Sequence, residues 1–200
     1  MPSSQRTTAP PTTEPRRDEL VLATYREIAE NGFEELRTRE VASAVGVNIA
    51  TLHYYFPSKE DLIRAVIGHA MSRFRSTMAA EGTAAERLRA HFRGLRKLSR
   101  DEPQLFAVMG ELMLRSARDK GLADIIGKTD AFWHGTLRGL IREAQSEGAV
   151  AESIDADGMA GIIVATLKGV YLLPVGAGPP PAFDKVLRQL EGLLDLRPAR

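Results

Sequence analysis

Apolar side chains return every third or fourth position from about Leu20 to Leu194, and no run of Val, Ile and Thr alternates with polar residues. That period builds helices and leaves no strand from which to make a sheet. Leu20, Val21, Tyr25 and Ile28 share one face of a first helix, expected from about Arg16 to Glu30 and closed by Asn31-Gly32, where glycine tolerates the left-handed conformation. Leu62, Val66, Ala70, Phe74 and Met78 mark a long helix capped by Ser58. Three more stripes follow a break at Glu81-Gly82-Thr83: Leu88, Phe92 and Leu95; then Leu105, Met109, Leu112 and Met113; then Phe132 to Ala144. The last two helices are Met159 to Leu173, with Gly161, Ala165 and Gly169 forming a smooth face, and Phe183 to Leu194. Two hundred residues, 44% hydrophobic and 26% charged, suffice for a small domain joined to a larger one. The expectation is an all-α chain divided into a Pro- and Thr-rich disordered tail at 1–15, a first domain at 16–60 and a second at 61–200.

Several chemistries lack their residues. With no cysteine there are no disulfides, thiolate metal sites or cysteine nucleophiles, and a cytoplasmic setting fits. His53, His69, His91 and His134 have no ligand spacing and no carboxylate cluster, so no metal is expected. GxSxG, P-loop and GxGxxG patterns are missing, so the chain is read as no enzyme and as needing no cofactor. Met159 to Ala177 approaches spanning length, but Lys168 near its middle and Pro174 argue for a buried helix and against a membrane.

The segment Thr38 to Lys59, TREVASAVGVNIATLHYYFPSK, points to a function. Thr38 is expected to cap a short helix to Ala44, and Asn48 another to Tyr54 or Tyr55, with Gly46 turning the chain between them. Ala42 is small enough for a close crossing, and Val47 and Leu52 hold the pair on the first helix. This is a helix-turn-helix, which places its second helix in the major groove of DNA. Tyr54, Tyr55 and Phe56 point in three directions on a helix, so at least one should face solvent or a partner.

Gly46-Val47, Thr51-Leu52 and Tyr55-Phe56-Pro57-Ser58-Lys59, with Gly32-Phe33 upstream, resemble the signature of the tetracycline-repressor (TetR) family of bacterial transcriptional regulators. The resemblance covers roughly Arg16 to Val66. It implies a three-helix DNA-binding domain, a long fourth helix, and a larger helical bundle that binds a small effector and dimerises. The homodimer would form through the last two helices, Met159 to Leu173 and Phe183 to Leu194, and bind a palindromic double-stranded DNA operator until an effector releases it. Residue by residue, Thr38 and Arg39 would touch phosphates, Asn48, Ile49, Ala50 and Thr51 would open the recognition helix, and His53, Tyr54 and Tyr55 would lie on its later turn. Lys59 would hold another phosphate. Ile49, Ala50 and His53 depart from the family's usual residues. An apolar Ile49 and Ala50 can read thymine methyl groups, or Ile49 can pack inward and read nothing. The alternative at this stage is a helical small-molecule-binding protein or enzyme without specific DNA binding.

In the large domain, Phe92, Phe106, Met109, Met113, Trp133, His134, Leu137, Thr166, Lys168 and Tyr171 are candidates to line an effector pocket, because sites in bundles are apolar with few polar groups. Most of them should be plain core; Trp133, His134 and Tyr171 are the sharper candidates, and a largely apolar effector suits them. The basic run Arg87, Arg89, Arg93, Arg96, Lys97 and Arg100 reads as a solvated face. Charge does not favour the motif: residues 1–70 hold eight basic and ten acidic side chains, leaving 19 of the 27 basic and 16 of the 26 acidic ones to the rest. DNA contact must then rest on a few placed groups, with a shallow salt dependence.

Overall fold

The computed structural model describes residues 13–172 and 181–196, less the side chains of residues 13, 171, 181 and 182. Within them nine helices follow in order: α1 (Thr13–Asn31), α2 (Thr38–Ala44), α3 (Ile49–Tyr55), α4 (Lys59–Arg75), α5 (Ala84–Asp101), α6 (Pro103–Ser116), α7 (Lys120–Ser146), α8 (Ala156–Tyr171) and α9 (Pro181–Leu194). The regular elements of the described residues are all helical, as the period requires. Residues 1–12 of the expected tail, and Leu173 and Pro174 after α8, lie outside the described residues.

Local chemistry sets the helix starts. Ser58 Oγ accepts from Asp61 N at 3.1 Å to open α4, and Asp155 accepts from Asp157 N and Gly158 N to open α8. Thr83 and Glu86 cap each other's backbone at the head of α5, so both orphan amides there are satisfied. At α2 the expectation shifts by one residue. Arg37 is extended (φ −116°, ψ 116°) and holds the cap position with no side-chain cap, and Thr38 is already helical. The Arg37 guanidinium donates to Glu34 O at 2.7 Å, which fixes the approach to α2 in place of a hydroxyl cap.

Helices α1 to α4 pack through Leu20, Ile28, Leu52, Phe56 and Leu62, all essentially inaccessible. The same apolar cluster continues without a break through Val66, Leu88, Phe92, Leu105 and Leu137 to Phe183 and Leu187 on α9. Because α4 contributes to both ends of that core, a displacement of α4 in the large domain is felt by the small one. Two stripe positions differ from the pattern. Met78 lies past the end of α4 at Arg75, and Phe132 is 62% exposed while its neighbour Trp133 is buried, so the inner face of α7 runs Leu122, Ile126, Trp133, Leu137, Leu140, Ile141 and Ala144.

Candidate nucleic-acid interface and the core behind it

The four residues Val45 to Asn48 turn the chain between α2 and α3. Gly46 sits at φ +71°, a conformation side-chain-bearing residues rarely adopt, and Val47 N then returns to Ala42 O at 2.9 Å. Asn48 Oδ1 accepts from Thr51 N at 2.8 Å and from Thr51 Oγ1 at 3.0 Å, so Asn48 caps α3 and orders the first side chain of its outer turn. Leu52 and Phe56, each 1% exposed, fasten α3 to the small-domain core. What remains outside is Ala50, His53 and Tyr54, the last 76% exposed, with Tyr55 half-buried and edge-on to Tyr54 at 5.2 Å. The three aromatics do diverge: one out, one at the rim, one in. Ile49 is partly buried and packed on the core, which leaves its outward reach smaller than that of Ala50.

The nearby cations are unequally available. Arg39 is exposed and enters no ion pair among the described residues, and Thr38 beside it is half-buried. Arg16 pairs with Glu19 at 2.7 Å and donates to Val45 O at 3.3 Å, tying α1 to the turn, while the Arg17 guanidinium lies 5.0 Å from the Phe56 ring. Lys59 is engaged already: Nζ donates to Leu36 O at 3.3 Å and stands 5.0 Å over the Phe33 ring. Burial first, and the Arg37 charge second, lower its pKa. Sequence reasoning cast Lys59 only as a phosphate ligand and missed this structural duty.

Phe33 also joins the two domains. Its N–H donates to Glu111 Oε2 of α6 at 3.3 Å, the Arg115 guanidinium lies 5.5 Å from its ring, and Arg115 pairs with Glu34 at 2.8 Å. Phe33 is thus held between a cation of α4 and a cation of α6, each attracted to an aromatic face. The signal was present in the sequence as Glu111 and Arg115, four apart and the charged residues of an otherwise uncharged helix.

Behind this junction the expected effector residues divide. Phe92, Phe106, Met109, Trp133 and Leu137 are buried core; Met113, His134 and Thr166 are half-buried. His134 Nε2 donates to Asp157 O at 3.2 Å, and Lys168 pairs with Asp130 between α8 and α7. The side chain of Tyr171 lies outside the described residues. Phe74 stacks on Trp133 at 6.0 Å and meets Phe106 edge-on at 5.8 Å, and Phe106 meets Phe183 at 5.5 Å, a string of rings from α4 to α9. Between α4 and α7 lies an apolar hollow of about 240 Å³ walled by Met71, Phe74, Met78, Phe132 and Trp133, with Arg75, Thr129 and Thr136 also lining it. Of the expected lining residues whose side chains are described, only Trp133 reaches it. The basic run on α5 also needs correction: Arg96 pairs with Glu191 at 2.6 Å, Arg87 with Glu143 at 3.2 Å, and Arg89 donates to Leu196 O, so half of the run fastens α5 to α7 and to the α9 end while Arg93, Lys97 and Arg100 stay exposed.

Comparison with known proteins agrees with this anatomy. Residues 20–66 match the bacterial regulatory proteins of the tetR family, and residues 84–197 match the carboxy-terminal part of BetI-type transcriptional repressors. The chain is 26% identical over 145 residues to the fatty acid metabolism regulator protein of Bacillus subtilis (strain 168), covering 70% of this chain and 74% of that one. With the nucleoid occlusion factor SlmA of Haemophilus influenzae (strain PittGG) it shares 30% identity over 100 residues, 48% of this chain and 46% of that one. The crystal structure of a TetR transcription regulator from Haloarcula marismortui ATCC 43049 has the same fold, with a TM-score of 0.79 at 20% identity over 92% of this chain and all of that one. Among the described residues no helix is long and apolar enough to cross a membrane.

Proposed function

The chain belongs to the tetR family of bacterial regulatory proteins, and from that premise we propose that it is a dimeric repressor that binds a palindromic operator through two copies of α3 and leaves it when a small molecule enters the large domain. As a family member it is a DNA-binding transcriptional regulator and not an enzyme. The observation that carries the finer reading is the outer face of α3: Ala50, His53 and Tyr54 stand in solvent on a helix fixed from below by Leu52 and Phe56.

In this reading the Ala50 methyl, with part of Ile49, meets thymine methyl groups; Thr51, His53, Tyr54 and Tyr55 supply base or phosphate contacts; and Thr38 and Arg39 position the helix on the backbone. Lys59 would reach a phosphate with the donors it does not spend on Leu36 O. Replacing thymine by uracil in the operator is expected to weaken binding about fourfold per methyl contacted, the worth of one buried carbon. Unchanged affinity on the uracil operator would remove the methyl contacts from the account.

Dimerisation through α8 and α9 is supported by Ile162 on α8, Leu172 at its end and Leu193 on α9, each about half exposed, and by the exposed small residues Ala165 and Gly169 of α8. An effector can release DNA only by binding more tightly to the dimer state whose recognition helices are wrongly spaced. Helix α4 is the element able to carry that difference, since its start holds Phe33 and its end walls the α4–α7 hollow. The named role of the Bacillus subtilis relative in fatty acid metabolism supports an effector that is largely apolar.

A gel shift with the DNA upstream of the chain's own gene is the direct test. Specific binding should exceed binding to random DNA by ~10³-fold or more. Its affinity should fall with salt at a slope matching only a few phosphate contacts per subunit, because few cations flank α3. Equal affinity for both DNAs, or the steep slope of a heavily basic protein, would mark a non-specific binder instead.

A further inference from the structure

His91 lies on α5 in the stripe of Leu88, Phe92 and Leu95, fully buried. Its Nδ1 is 2.6 Å from Thr77 Oγ1, and Thr77 Oγ1 is 2.6 Å from Phe74 O. A hydroxyl and a carbonyl approach that closely only with the hydroxyl hydrogen between them, so the Thr77 proton goes to Phe74 O and His91 Nδ1–H must donate to Thr77. Gly94, one turn on, makes room for this: a Cβ there would stand 2.6 Å from Thr77 Cβ. The tautomer is therefore set, and Nε2 is left as a bare lone pair, which no group among the described residues satisfies. A buried acceptor without a partner is uncommon and asks for a donor.

The rings around His91 suggest where the donor comes from. Trp133 meets His91 edge-on at 5.8 Å and Phe74 face to face at 6.0 Å, and these same two rings wall the α4–α7 hollow. We infer that this hollow, deepened by a shift of Trp133, is the effector site, and that its occupant is a small uncharged apolar molecule whose one hydroxyl or N–H donates to His91 Nε2. This rests on the reading of the large domain as effector-binding. The size follows from a hollow of about 240 Å³, below the ~300 to 1,000 Å³ of pockets for drug-sized ligands. The donor follows from the tautomer, since Nε2 can only accept. The absence of charge follows from the inner wall toward His91, where Phe74 and Trp133 offer an ion nothing; Arg75 also lines the hollow but is exposed.

Trp133 is the chain's single tryptophan, so its fluorescence reports occupancy without a label. Titration of the full chain with p-cresol and with toluene, which differ by one hydroxyl, should perturb Trp133 in both cases. In His91→Leu the ratio of the two dissociation constants should shift about tenfold toward toluene, the worth of one hydrogen bond. In the wild-type chain p-cresol, and not toluene, should move the His91 Nε2 resonance in a ¹⁵N spectrum, a readout that survives if the variant fails to fold. An unchanged ratio, no binding of either probe, or an unmoved Nε2 resonance overturns the inference, the last by assigning the lone pair to a resident water. A parallel gel shift keeps the two readings apart: specific operator binding without p-cresol binding removes this inference alone.

Discussion

An alanine at position 56 is expected to destabilise the folded chain by about 3 to 5 kcal/mol, the usual range for emptying a buried phenylalanine site, and to abolish operator binding at ordinary protein concentrations. Phe56 is 1% exposed and ends α3, its N–H returning to Leu52 O at 2.8 Å from an extended backbone (φ −134°, ψ 90°). Two residues later Ser58 caps α4. The ring therefore fills the corner where α3 stops, α4 starts and Arg17 of α1 lies against it. Pro57 between them gives the corner little freedom to collapse on a smaller side chain. The control is two residues back. Tyr54 is 76% exposed, so Tyr54→Ala should change stability by less than ~0.5 kcal/mol while still weakening DNA binding. Urea unfolding and gel shifts on both variants separate a residue that holds the recognition helix from one that reads DNA. Equal stability losses at 54 and 56 would mean that α3 is not anchored as described.

The ease with which the small domain is legible has a local cause. Asn48 and Thr51 are three residues apart, Gly46 needs only its own φ, and Leu52 and Phe56 lie on one short helix. Each determinant sits within a turn or two of what it determines, so a linear reading recovers it. The large domain depends on pairings the sequence does not index. Arg96 meets Glu191 across 95 residues, and Arg89 meets Leu196 across 107, so a basic run that resembles a wet surface by spacing is half consumed by α7 and the α9 end. Phe132 and Trp133 are adjacent aromatics, and the packing of α7 against α4 and α5 sends one to solvent and the other to the core.

Lys59 and His91 teach the same point about function. A lysine after a capped serine reads as a phosphate ligand, yet its ammonium closes the gap between Leu36 O and the Phe33 ring, and through that ring it meets Arg115. The residue at the edge of the DNA-binding surface is thus part of the contact through which α6 meets the α1–α2 connection. His91 carried no ligand spacing and so attracted no role, because its meaning arises only when Thr77, fourteen residues away, fixes its tautomer.

Buried neutral, His91 should also make the chain acid-sensitive. Desolvation alone lowers its pKa to about 4, with no charged neighbour contributing. In the unfolded chain an imidazole titrates near ~6.5. Between those values the unfolded state binds more protons than the folded one, so stability rises with pH through this window. The contribution is fully present above about pH 6.5 and is lost progressively as pH falls toward about 4. From pH 7.5 to pH 5 the loss assigned to this one residue is about 2 kcal/mol, or roughly 4 to 8 °C in Tm for a chain of this size. His91→Leu removes the titrating group and should flatten that part of the curve. Unfolding of both proteins at pH 7.5 and pH 5 gives the difference directly, because other histidines and carboxylates are common to the two and cancel. A wild-type curve parallel to that of His91→Leu would mean that the imidazole is hydrated in the folded state, and the bare lone pair on Nε2 would have to be given up with it.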